Sequence, residues 1–172
     1  NCFCTNSICA PSRATILTGK ETHMNGVKTL HNKLDGRQET FPKILRRNGY
    51  ETAIIGKWHL ASSHDESPLE ELTSKGLGCP TGFDYWNVLP GQGKYHNPEF
   101  SEMGEYRQYN GYVTDVITDL TLDWLENRDK EKPFFLYLAY TIPHAEMVLP
   151  DKYLEPFLGR YPQGEPWPGG HY

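Results

Sequence analysis

Hydrophobic positions along this chain follow two different periods, and their alternation predicts an α/β fold. Val113, Val116, Ile117, Leu120, Trp124 and Leu125 recur at i, i+3, i+4, i+7, i+11 and i+12. That spacing puts them on one stripe and predicts an amphipathic helix lying on a sheet. Two other segments, Tyr50-Glu51-Thr52-Ala53-Ile54-Ile55-Gly56 and Phe134-Phe135-Leu136-Tyr137-Leu138-Ala139-Tyr140, are short, β-branched or apolar, and lack polar alternation. Runs of that length and composition predict strands buried on both faces. Shorter helices are signalled ahead of the first strand. Pro11 suits a first helical turn that continues through Ser12–Leu17 and stops at Gly19. Thr40 can cap a second helix, with Pro42 in its first turn, Ile44 and Leu45 as its apolar positions, and Gly49 as its terminator. Buried strands separated by helices predict a mainly parallel sheet flanked by helices. From Ala61 to Gln108 the pattern dissolves into Gly, Pro, Ser and aromatics, which reads as a long irregular insertion. After Pro143 the chain is again Pro/Gly-rich and no repeat is evident.

Composition narrows the function classes. At 172 residues the chain fits one domain with a real core. A net charge of −5 with both signs interspersed argues against a nucleic-acid or membrane-surface partner. No apolar run is long enough for a transmembrane helix. The chain opens on Asn1 without a charged-then-apolar leader, so the sequence leaves localisation unknown. The four cysteines do not suggest a disulfide framework. Cys2 and Cys4 are badly placed to bridge each other, and Cys9 and Cys79 stand alone. Zinc would want paired C-x-x-C or Cys/His spacing, which is missing.

Two polar clusters follow the two strands. Gly56-Lys57-Trp58-His59 comes after the first and Pro143-His144 after the second. Ligands of open α/β sheets collect at such strand ends, although a solvated loop lysine or a turn-capping histidine would look the same. The strongest local signal is Cys9-Ala10-Pro11-Ser12-Arg13-Ala14-Thr15-Ile16-Leu17-Thr18-Gly19-Lys20. It sets a nucleophile-capable side chain just before a helix start, where free N–H groups and the positive dipole end favour a tetrahedral oxyanion. Arg13, one turn later, can reach back towards Cys9. Taken without further context, a small buried cysteine ahead of a helix would be the commoner reading.

Cys9-x-Pro11-Ser12-Arg13 followed by Leu17-Thr18-Gly19 resembles the signature of the type I sulfatases, formylglycine-dependent members of the alkaline phosphatase superfamily. Gly49-Tyr50 leading to Gly56-Lys57-Trp58-His59-Leu60 is similar to a second stretch of that family, and Thr141-Ile142-Pro143-His144 to a third. The three occur in the family's order. The resemblance implies that a maturation enzyme oxidises Cys9 to formylglycine, whose hydrate attacks sulfur with one hydroxyl and expels sulfate with the other. Arg13 would hold the gem-diol, Lys57 a sulfate oxygen, and His59 would assist the diol and the elimination. His144 would bind sulfate and protonate the leaving alcohol. In extended backbone Lys57 and His59 would point to the same side.

The resemblance also implies a divalent cation, usually calcium, held by hard oxygen ligands. Of the metal ligands only Cys9, as formylglycine, has a match here. Asp115, Asp119 and Asp123 read as a solvated helix face. The chain therefore reads as residues 1–172 of a single sulfatase catalytic domain lacking its N- and C-terminal segments, and as inactive by itself. The implied partner is a sulfated small molecule or polysaccharide, and the implied site of action periplasmic or secreted. A phosphonate or phosphate monoester hydrolase of the same superfamily, and an inactive relative, remain the alternatives.

Overall fold

The computed structural model describes residues 3–61, 80–144, 148–162 and 164. Cys2, Cys79 and the last residues lie outside that set. Three helices come first: α1 (Cys9–Thr18), α2 (Thr22–Asn25) and α3 (Phe41–Arg47). Strand β1 (Glu51–Lys57) follows, then β2 (Tyr85–Leu89), β3 (Glu99–Glu102) and β4 (Glu105–Gln108). The long helix α4 (Val113–Asn127), strand β5 (Phe134–Ala139) and a short turn of helix α5 (Asp151–Leu154) complete the order.

The sheet has five strands in the order β4-β3-β2-β1-β5. β1 pairs parallel with both β2 and β5, whereas β2–β3 and β3–β4 are antiparallel. The sheet is therefore mixed, and parallel only around β1. Residues 61–108 were expected to be irregular, yet β2, β3 and β4 all come from that stretch. These strands are short and carry Glu, Arg and Asn, so they lack the apolar run that betrays a longer strand.

β1 divides the core in two by the alternation of its side chains. Ile54 packs with Ala10, Ala14 and Leu17 of α1 and with Trp58, Trp86 and Val88 on one face. Ala53 and Ile55 pack with Val113, Val116, Ile117 and Trp124 of α4 on the other. The α4 stripe expected from periodicity is thus the buried one. Burying Ile54 and Ile55 completely stabilises the fold by about 1.5–3 kcal/mol each. β5 departs from expectation. It forms the outer strand among the described residues, and Phe134 and Leu138 stay 41% and 37% exposed.

Thr40 sits at the head of α3 as expected, but its hydroxyl makes no capping bond and is buried without a partner. That helix ends at Asn48, with Gly49 left-handed at φ 86° immediately after.

Candidate active site

The site is built where β1 ends. Gly56 is the position that lets β1 and β5 run this close. Its φ is 110°, and a Cβ there would lie 2.1 Å from the carbonyl oxygen of Ala139. Only glycine tolerates both conditions. Gly56 and Ala139 are register partners, so the loops carrying Lys57–His59 and Tyr140–His144 leave the sheet at the same edge.

Cys9 approaches that edge from α1. The helix starts at Cys9, two residues earlier than Pro11 suggested, because first-turn N–H groups have no helical partner and a proline among them costs little. The first helical bond runs from Ser12 N to the Ile8 oxygen at 2.9 Å. Ile8 offers no side-chain cap and the first turn holds no acid, so the positive helix end is left for something else. Cys9 itself is a half-exposed free thiol, not a core residue.

Arg13 was expected to turn back to Cys9. Instead its Nη1 donates to the Lys57 carbonyl oxygen at 2.7 Å, tying α1 to the end of β1. Burial pulls the guanidinium below its ordinary pKa, and Tyr137 and Cys9 oppose that pull, so Cys9 remains within its field.

Lys57 is 2% exposed and ends β1. Desolvation lowers its pKa, Cys9 partly restores it, and Arg13 lowers it further. The ammonium donates to Gln92 Oε1. His59 is not extended, as the same-side argument assumed; it is left-handed, with φ 55°. Its backbone N–H donates to the Pro90 oxygen at 3.1 Å, and its Nδ1 is buried without a hydrogen-bond partner. Burial, then Lys57, Arg13 and His144, push its pKa down to about 4, so the imidazole is neutral at neutral pH. His144 lies half-buried beyond β5, lowered by burial and then by Lys57.

Cys9, Arg13 and Lys57 sit within one another's electrostatic reach at this sheet edge, and His59 and His144 are within reach of Lys57 and of each other. No carboxylate is among the groups that perturb the four basic ones. Such a constellation suits an anion. Among the described residues no cluster of three His, Cys, Asp or Glu could hold a metal. Asp115 pairs with Lys152 at 2.8 Å, while Asp119 and Asp123 face solvent. Cys4 Sγ donates to the Asn6 oxygen at 3.0 Å, and Cys4 and Cys9 are free. A separate concavity of about 660 Å³ lies against α4, and none of the five residues lines it. Sequence reasoning missed Gln92; its only trace was a Gly-Gln-Gly turn soon after a strand-like run.

Architecture and site together define an α/β domain of the alkaline-phosphatase-like type with a cluster of basic side chains at its parallel strand ends. A family model described as Sulfatase matches residues 1–168, and the chain belongs to the sulfatase family. It is 42% identical over 157 residues to the N-acetylglucosamine-6-O-sulfatase of Bacteroides thetaiotaomicron, covering 90% of this chain and 25% of that protein. It is 34% identical over 170 residues to the human N-acetylglucosamine-6-sulfatase, covering 88% and 29%. Among solved structures, BT4656 in complex with its substrate D-glucosamine-2-N,6-O-disulfate superimposes with a TM-score of 0.81 at 40% identity, over 95% of this chain and 31% of that one. The chain thus spans a quarter to a third of these relatives. A phosphonate monoester hydrolase of Agrobacterium radiobacter shares the fold, with a TM-score of 0.63 at 20% identity over 89% of this chain and 35% of its own. No helix among the described residues is long and apolar enough to cross a membrane.

Proposed function

We propose that this chain carries the nucleophile half of a sulfuric ester hydrolase, and that its substrate is a sugar bearing a 6-O-sulfate on an N-acetylglucosamine-type unit. The observation that supports it is the convergence of one modifiable thiol and four basic side chains, without a carboxylate, on one sheet edge. The names of the relatives supply the sugar.

In this reading Cys9 acts after oxidation to formylglycine and hydration. One gem-diol hydroxyl gives up its proton to solvent as its oxygen attacks sulfur, and the S–O bond to the sugar breaks. His144 delivers a proton to the departing alcohol. The lowering of His144 by burial and Lys57 is opposed when the negatively charged sulfate ester binds beside it. His59, already neutral, then accepts the proton of the second hydroxyl as the aldehyde re-forms and sulfate leaves. Water rehydrates the aldehyde, so the net reaction consumes one water and releases alcohol and hydrogen sulfate. Arg13 and Lys57 supply fixed positive charge where negative charge gathers. Of the described residues Cys9, as formylglycine, is the one the family resemblance offers to a divalent cation, and no step above passes through that ion.

The test is made on the whole protein produced with a formylglycine-generating enzyme. Intact mass should fall by about 18 Da at Cys9, a loss that simple oxygen addition cannot mimic. N-acetylglucosamine 6-sulfate should be hydrolysed, and Cys9→Ala should retain its fold and lose turnover. Undiminished hydrolysis by Cys9→Ala would sink the reading. Preference for a phosphonate monoester would move the activity to the other branch of the fold.

A further inference from the structure

We propose that Gln92 is a positioning residue for Lys57: a neutral acceptor that fixes the ammonium without cancelling its charge. The proposal rests on the sulfatase reading of Lys57.

Lys57 has three N–H donors and no acceptor, so whatever holds its head must offer a lone pair. In a site that recruits an anion, a carboxylate would do so most strongly. It would also form an ion pair and remove the positive charge the anion needs. Gln92 Oε1 is an uncharged alternative and accepts from Lys57 Nζ. Its orientation is set from the other end, because Gln92 Nε2 donates to the Tyr95 hydroxyl at 3.2 Å. An amide presenting its oxygen to a lysine must present its nitrogen elsewhere, and Tyr95 receives it.

Tyr95 is itself fixed. It is 2% exposed in the core cluster under α4, and its carbonyl oxygen accepts from Val113 N at 2.8 Å, where α4 begins. The segment between β2 and Tyr95 also clamps the lysine's own backbone neighbours. Trp58 N donates to the Leu89 oxygen at 3.0 Å and His59 N to the Pro90 oxygen. The turn that makes this possible includes Gly93, at φ 76°, where a Cβ would meet Leu89 Cδ2 at 2.6 Å. One short loop thus grips the end of β1 by its main chain and by its charge.

The experiment uses the whole protein with Gln92→Glu, Gln92→Met and Tyr95→Phe, with folding checked by circular dichroism. Two quantities are read: the rate at which acetic anhydride acylates Lys57, followed by peptide mass, and inhibition of turnover by inorganic sulfate. A carboxylate beside a buried lysine raises its pKa by about one unit or more, so Gln92→Glu should slow acylation about tenfold or more. Sulfate should inhibit that variant correspondingly more weakly, and KM for a sulfate ester should rise. Gln92→Met keeps the volume and loses the acceptor. It should lower kcat more than it raises KM, and Tyr95→Phe should act in the same direction by a few fold. An unchanged Lys57 acylation rate in folded Gln92→Glu would overturn the contact. Lys57→Ala serves as the separate control: if it keeps full turnover, the sulfatase role of Lys57 fails, while the acylation comparison still decides what Gln92 does.

Discussion

β1 and β5 run side by side, in parallel and in register, and each delivers basic groups to the same edge, yet they are built differently. β1 is buried from Thr52 to Lys57 and flanked by strands on both sides. β5 has one strand neighbour and is half-exposed through most of its length. The charged groups differ in the same sense. Lys57 is buried and His59 half-buried on a segment held by neighbouring backbone, and His59 is driven down to about 4. His144 is likewise half-buried, but on a chain that has just left the outer strand. A buried strand can hold a charge in one place against its solvation cost; an outer strand leaves its group freer to change protonation. In the proposed mechanism this puts the fixed charge of Lys57 at the buried end of β1 and the proton donor, His144, beyond the more exposed β5.

The sharpest way to break this comparison is at the seam. Gly56→Ala forces a Cβ against the Ala139 carbonyl in a backbone conformation that L side chains rarely adopt. A loss of roughly 3 kcal/mol or more in urea unfolding is expected. A loss below about 1 kcal/mol would mean that the two strands do not approach as described. Next come the register partners Ile55 and Leu138, one fully buried and one 37% exposed. In the chain described here, Ile55→Ala should cost about 2–5 kcal/mol and Leu138→Ala about 1 kcal/mol or less. Equal losses in the longer protein would show that further chain covers β5 there. The smallest effect is a pH dependence. His59 has a folded pKa of about 4, below its ordinary 6.5, so between those values the unfolded state binds more protons. Stability should rise as pH climbs through that window, and His59→Gln should flatten the rise in melts taken at pH 4, 5, 6 and 7.

The sequence announced some of this and hid the rest for identifiable reasons. α4 and β1 were legible because Val113, Val116, Ile117 and Trp124, or Ile54 and Ile55, carry enough apolar side chain to set a period by themselves. Tyr85–Leu89 was not, because Asn87 is buried in its middle and donates to the Tyr109 hydroxyl at 3.0 Å, a pairing that only the fold creates. β3 and β4 join through Met103 and Gly104, both at positive φ, and their Glu and Arg residues look like loop. In the site, Cys9, Arg13, Lys57, His59 and His144 were each visible through a local motif, and the structure brings all five to one edge. The bond from Arg13 to the Lys57 carbonyl was not foreseen, and the local geometry was misjudged at His59, which is left-handed. Both follow from reading a side chain's direction off its own segment when a neighbouring strand sets it. Gln92 had no such motif, since what distinguishes it is Lys57 across the sheet edge.

The pairing of β1 also bears on how the molecule is made. Glu51 has Phe134 as its register partner on one side, and Ala53 has Tyr85 on the other. A ribosome extending the chain completes Ile54 and Ile55 long before it supplies either neighbour. A strand buried over nearly its whole length therefore spends synthesis unpaired, and its parallel partners must be found across long loops whose closure is slow. Assembly of the catalytic edge is bound to come last, because Lys57 can be seated only after β2, its following loop and β5 have all arrived. The same burial that immobilises the lysine in the finished protein makes its strand the segment most exposed to aggregation on the way there.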